Sequence, residues 1–209
     1  MESQREHWDG LHAKGALDHF ADDPTPFCYE VASLLPPHQK ILELGCGVGN
    51  DSNYFAMLGH QVLATDFSEV AIEKNREFYK NDNLTFEVLD TSNTLPFKNN
   101  SYDLVYARLS LHYFPDKVTR EIFGEIARVL KPGGLLAFIC KSTADPKYGE
   151  GKMIEQDMYE LGGHVRHFFS KKYTEELLKD NFKITTLEEG EEEFYSDISA
   201  YIKVVARKI

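Results

Sequence analysis

A short apolar segment that leads directly into a glycine-rich turn constrains the fold of this chain more than any other feature. The segment Lys40-Ile41-Leu42-Glu43-Leu44 has the composition of a buried strand, and Gly45-Cys46-Gly47-Val48-Gly49 follows it immediately. Glycine accepts backbone conformations that other residues avoid, and it lets a ligand approach the main chain closely. A helix predicted over 52–58 would present its free N–H groups at the same point. The segment therefore predicts a strand, a ligand-binding turn and a helix in succession.

The same alternation of strand-like and helix-like segments continues along the chain. Four further strands are predicted over residues 61–65, 84–89, 102–107 and 135–140. Between the last two, apolar residues at spacings of three and four from Val118 to Leu130 indicate an amphipathic helix. That helix ends at Lys131-Pro132-Gly133-Gly134, because proline cannot continue it and glycine can adopt the left-handed conformation. Such alternation is typical of βαβ units in a mainly parallel sheet.

The last third of the chain departs from this rhythm. A turn-rich loop over 145–151 precedes Ile154, Met158 and Leu161, whose spacing predicts a short amphipathic helix. A further helix is expected over 170–179. Two final strands follow, and they should pair antiparallel because only a short connection joins them. These strands are predicted over residues 182–187 and 200–206, with Glu191-Glu192-Glu193 in a solvated acidic loop over 188–193 between them.

Length and charge exclude several classes of protein. The chain has 209 residues, which suits one domain over 1–209, and its net charge of -11 opposes binding to a nucleic-acid backbone. The three cysteines form no metal-binding pattern, so no metal site is predicted. The polar N-terminus and the lack of a long apolar run predict neither secretion nor membrane insertion. A reduced, cytoplasmic setting is therefore expected.

Acidic residues at successive strand ends refine the ligand of the glycine turn. Asn50 stands where a dinucleotide-binding GxGxxG motif would have its third glycine, and Glu43 precedes the turn, where a pyrophosphate would not favour an anion. Asp66 ends the second strand, at the position from which a carboxylate accepts hydrogen bonds from ribose hydroxyls. Asp90 and Thr91 end the third strand, where a carboxylate can accept from the amine of adenine. The pattern favours an adenosine ligand with a positive group.

These motifs resemble those of the class I S-adenosylmethionine-dependent methyltransferases. The glycine motif of that family is matched by residues 43–49, its two acids by Asp66 and Asp90, and its Leu-Lys-Pro-Gly-Gly turn by residues 130–134. The resemblance implies a Rossmann-like α/β fold with a seven-stranded sheet in the order 3-2-1-4-5-7-6, strand seven antiparallel, and helices on both faces. The segment 45–66 is most similar to the tellurite-resistance or thiopurine branches, which act on small molecules.

The resemblance also implies a cofactor site and two covering segments. S-adenosylmethionine, with S-adenosylhomocysteine as its product, is expected to contact residues at the ends of the first four strands. These are Glu43, Gly45, Gly47, Gly49, Asp66, Phe67, Asp90, Thr91 and Arg108. Residues 1–24 and the insertion 141–169 correspond to the regions that form a substrate lid in this family.

Three histidines are the candidates for proton transfer to or from a methyl acceptor. His112 follows the fourth strand, while His164 and His167 lie in the insertion. Histidine suits this role because its pKa lies close to physiological pH. Each of them has an alternative as a packing residue, and Trp8 has the same two alternatives of lid or core.

Three functions remain compatible with the sequence. The first is methyl transfer to a small molecule, and the second is methylation of a protein, for which a basic partner would complement the acidic chain. The third is an adenosine-binding regulator or an NAD enzyme without methyl transfer, and Asn50 in place of the third glycine argues against NAD. The acceptor atom and the oligomeric state stay open.

Overall fold

The computed structural model describes residues 2–14, 23–194 and 197–209. Parts of the predicted N-terminal lid segment, residue 1 and residues 15–22, therefore lie outside the described residues. Within the described residues the chain forms six helices, which are α1 (Glu2–Ala13), α2 (Pro26–Ser33), α3 (Asn50–Met57), α4 (Glu69–Phe78), α5 (Asp116–Val129) and α6 (Lys171–Leu178). Strands of the main sheet are β1 (Lys40–Leu44), β2 (Gln61–Asp66), β3 (Leu84–Val88), β4 (Tyr102–Arg108), β5 (Leu130–Lys141), β9 (Phe182–Phe194) and β10 (Asp197–Lys208). Three short strands, β6 (Lys152–Glu155), β7 (Met158–Leu161) and β8 (His164–His167), form a second sheet.

The main sheet confirms the predicted α/β architecture. Its seven strands have the order β3-β2-β1-β4-β5-β10-β9, and the pairs among the first five are parallel. β10 runs antiparallel to both of its neighbours. The strand numbers differ from the predicted ones because β6, β7 and β8 intervene in the chain without joining this sheet.

Alternating side chains of the strands fill two hydrophobic cores, one on each face of the sheet. In β4, Val105 packs with α5 and α6, whereas Tyr106 packs with α2 and α3. The same alternation continues in β1, where Leu42 joins the first core and Ile41 the second. Glu43 follows on the Ile41 side and places a buried carboxyl group on an otherwise apolar face. None of the described helices has the length and apolar character needed to span a bilayer.

The insertion after β5 contains a small antiparallel sheet where the sequence predicted a helix. The helical spacing of Ile154, Met158 and Leu161 is coincidental, because Ile154 belongs to β6 and the other two to β7. A tight turn at Gly162 and Gly163 joins β7 to β8, and both glycines have positive φ. Such a two-residue turn favours a hairpin over a helix. The prediction of a helix here was therefore wrong.

The acidic segment near the C-terminus is also extended rather than a loop. Residues 188–193 belong to β9 and pair with β10, so that Glu188 lies opposite Lys203 and Glu193 opposite Ile198. Lys203 also forms ion pairs with Glu188 at 2.9 Å and with Glu30 at 2.8 Å. β9 is an edge strand, and charged side chains on an edge oppose pairing with another chain. The prediction of a solvated loop over 188–193 was wrong because this edge position tolerates glutamates within a strand.

Candidate functional site

The carboxyl ends of the parallel strands bring the predicted cofactor residues to one edge of the sheet. β1 lies between β2 and β4, with Glu43 opposite Ala64 on one side and Tyr106 on the other. Asp66 and Arg108 end the two neighbouring strands. Open α/β sheets bind their ligands at this edge, which carries Glu43, Asp66 and Arg108 and which we call the cofactor edge.

The three glycines after β1 all have positive φ, but their surroundings differ. A Cβ atom on Gly45 would lie 2.2 Å from the Cβ atom of Ser110, and one on Gly49 would lie 3.0 Å from the Phe86 ring. No described atom lies within 4 Å of the position that a Cβ atom on Gly47 would occupy. Gly45 and Gly49 are therefore required for packing, whereas Gly47 borders open space at the ligand edge.

Asp66 is bound to the glycine turn and to the start of α4. Its Oδ2 atom accepts a hydrogen bond from the Gly47 amide at 2.8 Å, and its Oδ1 atom accepts one from the Ser68 amide at 2.9 Å. Burial raises the pKa of Asp66, although these amide hydrogen bonds oppose the shift. Because the Gly47 amide donates to a carboxylate, the turn is suited to a ligand with hydroxyl or positive groups rather than to a phosphate.

Glu43 is a buried carboxyl group at the end of β1. Only 3% of its surface is exposed, and it accepts a hydrogen bond from the hydroxyl of Ser52. Burial raises its pKa to about 8, and the charge of Asp51 adds to this shift, while Arg108 opposes it. A positively charged ligand group beside Glu43 would relieve this unfavourable environment.

Asp51, in the first turn of α3, lies behind this edge and is not among the site residues predicted from the sequence. Its carboxylate accepts hydrogen bonds from the Thr25 amide at 2.7 Å, the Thr25 hydroxyl at 2.8 Å and the Tyr106 hydroxyl at 2.7 Å. Thr25 in turn caps α2 by accepting from the Cys28 amide. An acid directly after the glycine turn was the available signal, but its partners are too distant in sequence to be inferred.

Asp90 and Thr91 occupy the loop after β3. The Oδ1 atom of Asp90 accepts hydrogen bonds from the amide and the hydroxyl of Ser92, at 2.9 and 2.6 Å, so that one oxygen is used within its own turn. Thr91 lines a cavity of about 350 Å³ between this loop and α5. The other oxygen of Asp90 has no hydrogen bond within the described ranges.

Helix α1 covers the cofactor edge. The hydroxyl of Ser68 donates to Asp9 at 2.5 Å, and the ammonium of Lys74 donates to the carbonyl of His12 at 2.6 Å. The guanidinium of Arg5 lies 4.3 Å from the centre of the Phe67 ring. This part of the predicted N-terminal lid is therefore attached to α4 and to the loop before it.

Arg108 points toward the acidic edge strand. Its guanidinium lies 3.6 Å from a carboxylate oxygen of Glu192, and both side chains are partly buried. Arg108 also favours the ionised form of Glu43. A basic side chain at the end of β4 therefore links the carboxyl group of β1 to β9.

His112 lies in the loop after β4 and is fully buried. Within the described residues neither of its ring nitrogens has a hydrogen-bond partner, and its ring packs on Tyr113 with 4.3 Å between centres. Burial lowers its pKa well below the usual value, so the ring is neutral at physiological pH.

His164 packs against α1 and against Tyr113, the tyrosine that also contacts His112. Its ring centre lies 5.6 Å from that of Trp8 and 5.3 Å from that of Tyr113. Burial, together with the charge of Arg166, lowers its pKa to about 3. The structure thus brings Trp8 and the two imidazoles around Tyr113.

His167 occupies a different environment. Its Nδ1 atom lies 3.2 Å from the carbonyl oxygen of Phe114, its amide donates to the carbonyl of His112 at 2.8 Å, and its ring packs on Tyr173. Because a carbonyl oxygen only accepts, Nδ1 must carry the proton. These contacts attach β8, which carries His164 and His167, to the loop that carries His112.

The residues at the cofactor edge fit the ligand that the sequence implies. Glu43, Asp51 and Asp66 are three carboxyl groups within one buried region, and the pKa values of Glu43 and Asp66 are raised there. S-adenosylmethionine offers an ammonium, a sulfonium and ribose hydroxyls, which complement such a set of acceptors.

Comparisons with known proteins agree with this geometry. Residues 41–134 match the family model described as a methyltransferase domain. A phosphoethanolamine N-methyltransferase of Triticum aestivum is 38% identical over half of this chain and 22% of its own length. A tRNA N(3)-cytidine methyltransferase of Danio rerio is 29% identical over 88% of this chain and 56% of its own length.

The solved structures extend the likeness over nearly the whole fold. A SAM-dependent methyltransferase from Methanosarcina mazei has a TM-score of 0.76 and 24% identity, and the alignment covers 90% of this chain and 99% of that one. At this identity the likeness concerns the fold. The chain spans between about a fifth and just over half of the length of the two sequence relatives. With the topology and the acids at the strand ends, these matches show that residues 41–134 resemble a methyltransferase domain and that the fold is the Rossmann-like fold of S-adenosylmethionine-dependent methyltransferases.

Proposed function

We propose that this chain binds S-adenosylmethionine at the cofactor edge and methylates a small molecule. The observation that carries the proposal is the buried carboxyl group of Glu43 beside the glycine turn, with Asp66 at the end of the neighbouring strand. When bound, S-adenosylmethionine supplies an electrophilic methyl group that a nucleophilic acceptor takes from the sulfonium, leaving S-adenosylhomocysteine.

Each residue of the cofactor edge has a role in this proposal. Glu43 faces the ammonium, and Arg108 the carboxylate, of the methionine part. Asp66 accepts from the ribose hydroxyls with oxygen lone pairs that the Gly47 and Ser68 amides leave available. The remaining candidates, Gly45, Gly47, Gly49, Phe67, Asp90 and Thr91, shape the turn and the adenine side.

The cluster of Trp8, His112, Tyr113 and His164, which we call the acceptor side, contains groups that can accept or donate a proton. His112 is neutral, because burial lowers its pKa, and its ring nitrogens have no hydrogen-bond partner within the described residues, so it can accept a proton from an acceptor that must lose one. His164 is also neutral, but its Nδ1 atom lies 3.0 Å from the guanidinium of Arg166, so it acts as a hydrogen-bond donor rather than as a base. His167 supports them through the hydrogen bond from its amide to the carbonyl of His112. A soft nucleophile that is already ionised would need no base, and positioning alone would then supply most of the rate enhancement.

A small acceptor is favoured over a nucleic acid and over a protein by the covering of the site. Trp8 packs over Tyr113 and His164, so that the acceptor side lies beneath α1. The net charge of -11 and the glutamates of β9 would repel a phosphate backbone. Because one relative is named as a tRNA methyltransferase, tRNA must be tested as an acceptor beside small molecules. We also propose that the chain belongs to the tellurite-resistance or thiopurine branch, which acts on small molecules.

An assay for S-adenosylhomocysteine release tests the proposal. Thiols, amines, carboxylic acids, halides, a basic peptide and tRNA are offered separately with S-adenosylmethionine. We expect turnover with a small molecule and none with tRNA. Turnover with the peptide or with tRNA alone would contradict the proposed acceptor class.

Calorimetry tests the cofactor independently of the acceptor. S-adenosylmethionine and S-adenosylhomocysteine are expected to bind, and NAD is expected not to bind. Tight binding of NAD without binding of S-adenosylhomocysteine would refute the assignment of the cofactor.

A further inference from the structure

The acceptor side contains two buried imidazoles whose hydrogen-bonding atoms the protein does not satisfy. Both nitrogens of His112 and the Nε2 atom of His164 lack partners within the part of the chain that the structure describes. Both side chains are more than nine-tenths buried. Buried polar atoms in proteins are nearly always paired, because an unpaired atom has lost its hydrogen bonds to water without replacement. Unsatisfied atoms beside a reaction site therefore indicate groups that a ligand completes.

The contact between Arg166 and His164 determines where the proton of His164 lies. Nη2 of Arg166 is 3.0 Å from Nδ1 of His164. A guanidinium has only donors, so Nδ1 must be the acceptor. The ring is neutral at physiological pH because its pKa is lowered to about 3, and its single proton is therefore on Nε2. His164 thus offers a buried N–H donor that requires an acceptor atom.

The charges that face these imidazoles are mainly positive, although the whole chain is acidic. Lys141 and Arg166 both disfavour the charged form of His112, and they act on His164 together with Lys147. Lys141 has a counterion, because Asp145 lies 3.1 Å from its ammonium.

Arg166 differs from Lys141 in this respect. No carboxylate of the described residues lies within ion-pairing distance of it, and its guanidinium contacts the ring of His164 instead. The acids Glu155 and Asp116 act on His167 instead. A local excess of positive charge attracts an anion and repels an ammonium group.

We propose that the methyl acceptor is a small molecule bearing a carboxylate or phosphate group, whose oxygens are bound by an oxyanion cluster of His164, Arg166 and His112. The Nε2–H of His164 and the guanidinium of Arg166 donate to the oxygens, and the neutral ring of His112 completes the cluster. Trp8 and Tyr113 cover the rest of the acceptor. This inference rests on the proposed function, since it assigns the acceptor of the same site.

Trp8 provides a direct binding signal, because it is the single tryptophan of the chain and its ring contacts His164. The full-length protein, saturated with S-adenosylhomocysteine, is titrated with four probes that share one apolar chain. The probes are hexanoate, hexyl phosphate, hexanol and hexylamine.

We expect one of the two anions to change the Trp8 emission with a Kd at least about tenfold lower than those of hexanol and hexylamine, because charge-assisted hydrogen bonds are the stronger kind. The better of the two anions identifies the group as carboxylate or phosphate. Equal binding of all four probes, or tightest binding of hexylamine, would overturn the proposal.

Substitutions separate recognition from folding. Arg166→Gln should weaken binding of the preferred anion by about tenfold or more, and Arg166→Lys by less, because the charge remains. Arg207→Gln is the matched control, since this exposed arginine lies on β10 and contacts the carbonyl of Gly133. An unchanged Kd in folded Arg166→Gln would contradict the assignment.

The donor role of His164 has its own test. His164→Gln can place an N–H close to the Nε2 position, whereas His164→Asn can replace only Nδ1, so the glutamine variant should retain more anion binding. Nitrogen-15 NMR of the histidine side chains should show an Nε2–H tautomer that becomes hydrogen-bonded when the anion is added. An Nδ1–H tautomer would overturn the inference. Binding of S-adenosylhomocysteine by calorimetry reports on the cofactor separately, so failure of the oxyanion cluster is distinguishable from failure of the proposed function.

Discussion

The Oδ2 atom of Asp66 accepts a hydrogen bond from the amide of Gly47 at 2.8 Å, which connects the end of β2 to the turn after β1. The other oxygen accepts from the amide of Ser68, next to α4. One carboxylate therefore organises the backbone on both sides of the proposed ribose position.

Removal of this carboxylate should weaken the cofactor more than it weakens the fold. We expect Asp66→Ala to reduce the binding free energy of S-adenosylhomocysteine by about 1.5–3 kcal/mol, the usual range for hydrogen bonds to a charged group. Calorimetry measures the change. Asp82→Ala, at an exposed turn, is the control and should bind normally. An unchanged Kd in folded Asp66→Ala would remove Asp66 from the cofactor site.

Cofactor affinity should depend on pH through Glu43. Its pKa is about 8 in the free protein, so the group is mostly protonated at pH 7, whereas the ammonium of the cofactor favours the carboxylate. Affinity should therefore rise as pH increases toward 8 and level off above it, by at most about tenfold per pH unit. Calorimetry in buffers of different ionisation enthalpy should detect the released proton. Glu43→Gln should bind more weakly and lose this dependence. A dependence that persists in the variant would assign it to another group.

Two alanine substitutions in the glycine turn should have different consequences. Both impose a left-handed backbone on a residue with a Cβ atom, at a cost of roughly 1–2 kcal/mol. Gly45→Ala adds a collision with Ser110 and should lower the unfolding free energy further. Gly47→Ala meets no protein atom, so its additional effect should appear in S-adenosylhomocysteine binding. Denaturant unfolding and calorimetry on both variants measure the two effects, and equal losses of stability would contradict this distinction.

The attachment of α1 should depend on Asp9. Loss of its hydrogen bond from Ser68 should cost about 1 kcal/mol, which increases local opening of α1 by roughly fivefold. Hydrogen exchange of the amides in residues 2–13 should therefore be faster in Asp9→Ala. Glu6→Ala, an exposed position of the same helix, is the control. Equal exchange in the two variants would show that Asp9 does not attach α1.

Local pattern was sufficient for the sheet but not for the insertion. The alternation of strands and helices predicted a mainly parallel sheet, because parallel βαβ units repeat a short-range rule, and the resemblance to the methyltransferase family implied the strand order. In the insertion, the apolar residues at 154, 158 and 161 match a helical period, while the competing signal is the pair Gly162-Gly163. The turn prevails because both glycines adopt positive φ, and the strands on either side then pair with each other.

Local sequence was sufficient to predict the strand–turn–helix unit, the succession of acids Glu43, Asp66 and Asp90, and a mainly parallel sheet. Each of these depends on residues that are neighbours in the chain or on the regular geometry of one repeating unit. The hydrogen bonds among Thr25, Asp51 and Tyr106, and the packing of Trp8 on His164, arise only in the folded chain. These contacts, and the pKa shifts of the buried groups, depend on burial and on residues that are distant in the sequence. The local spacing of residues therefore cannot predict them.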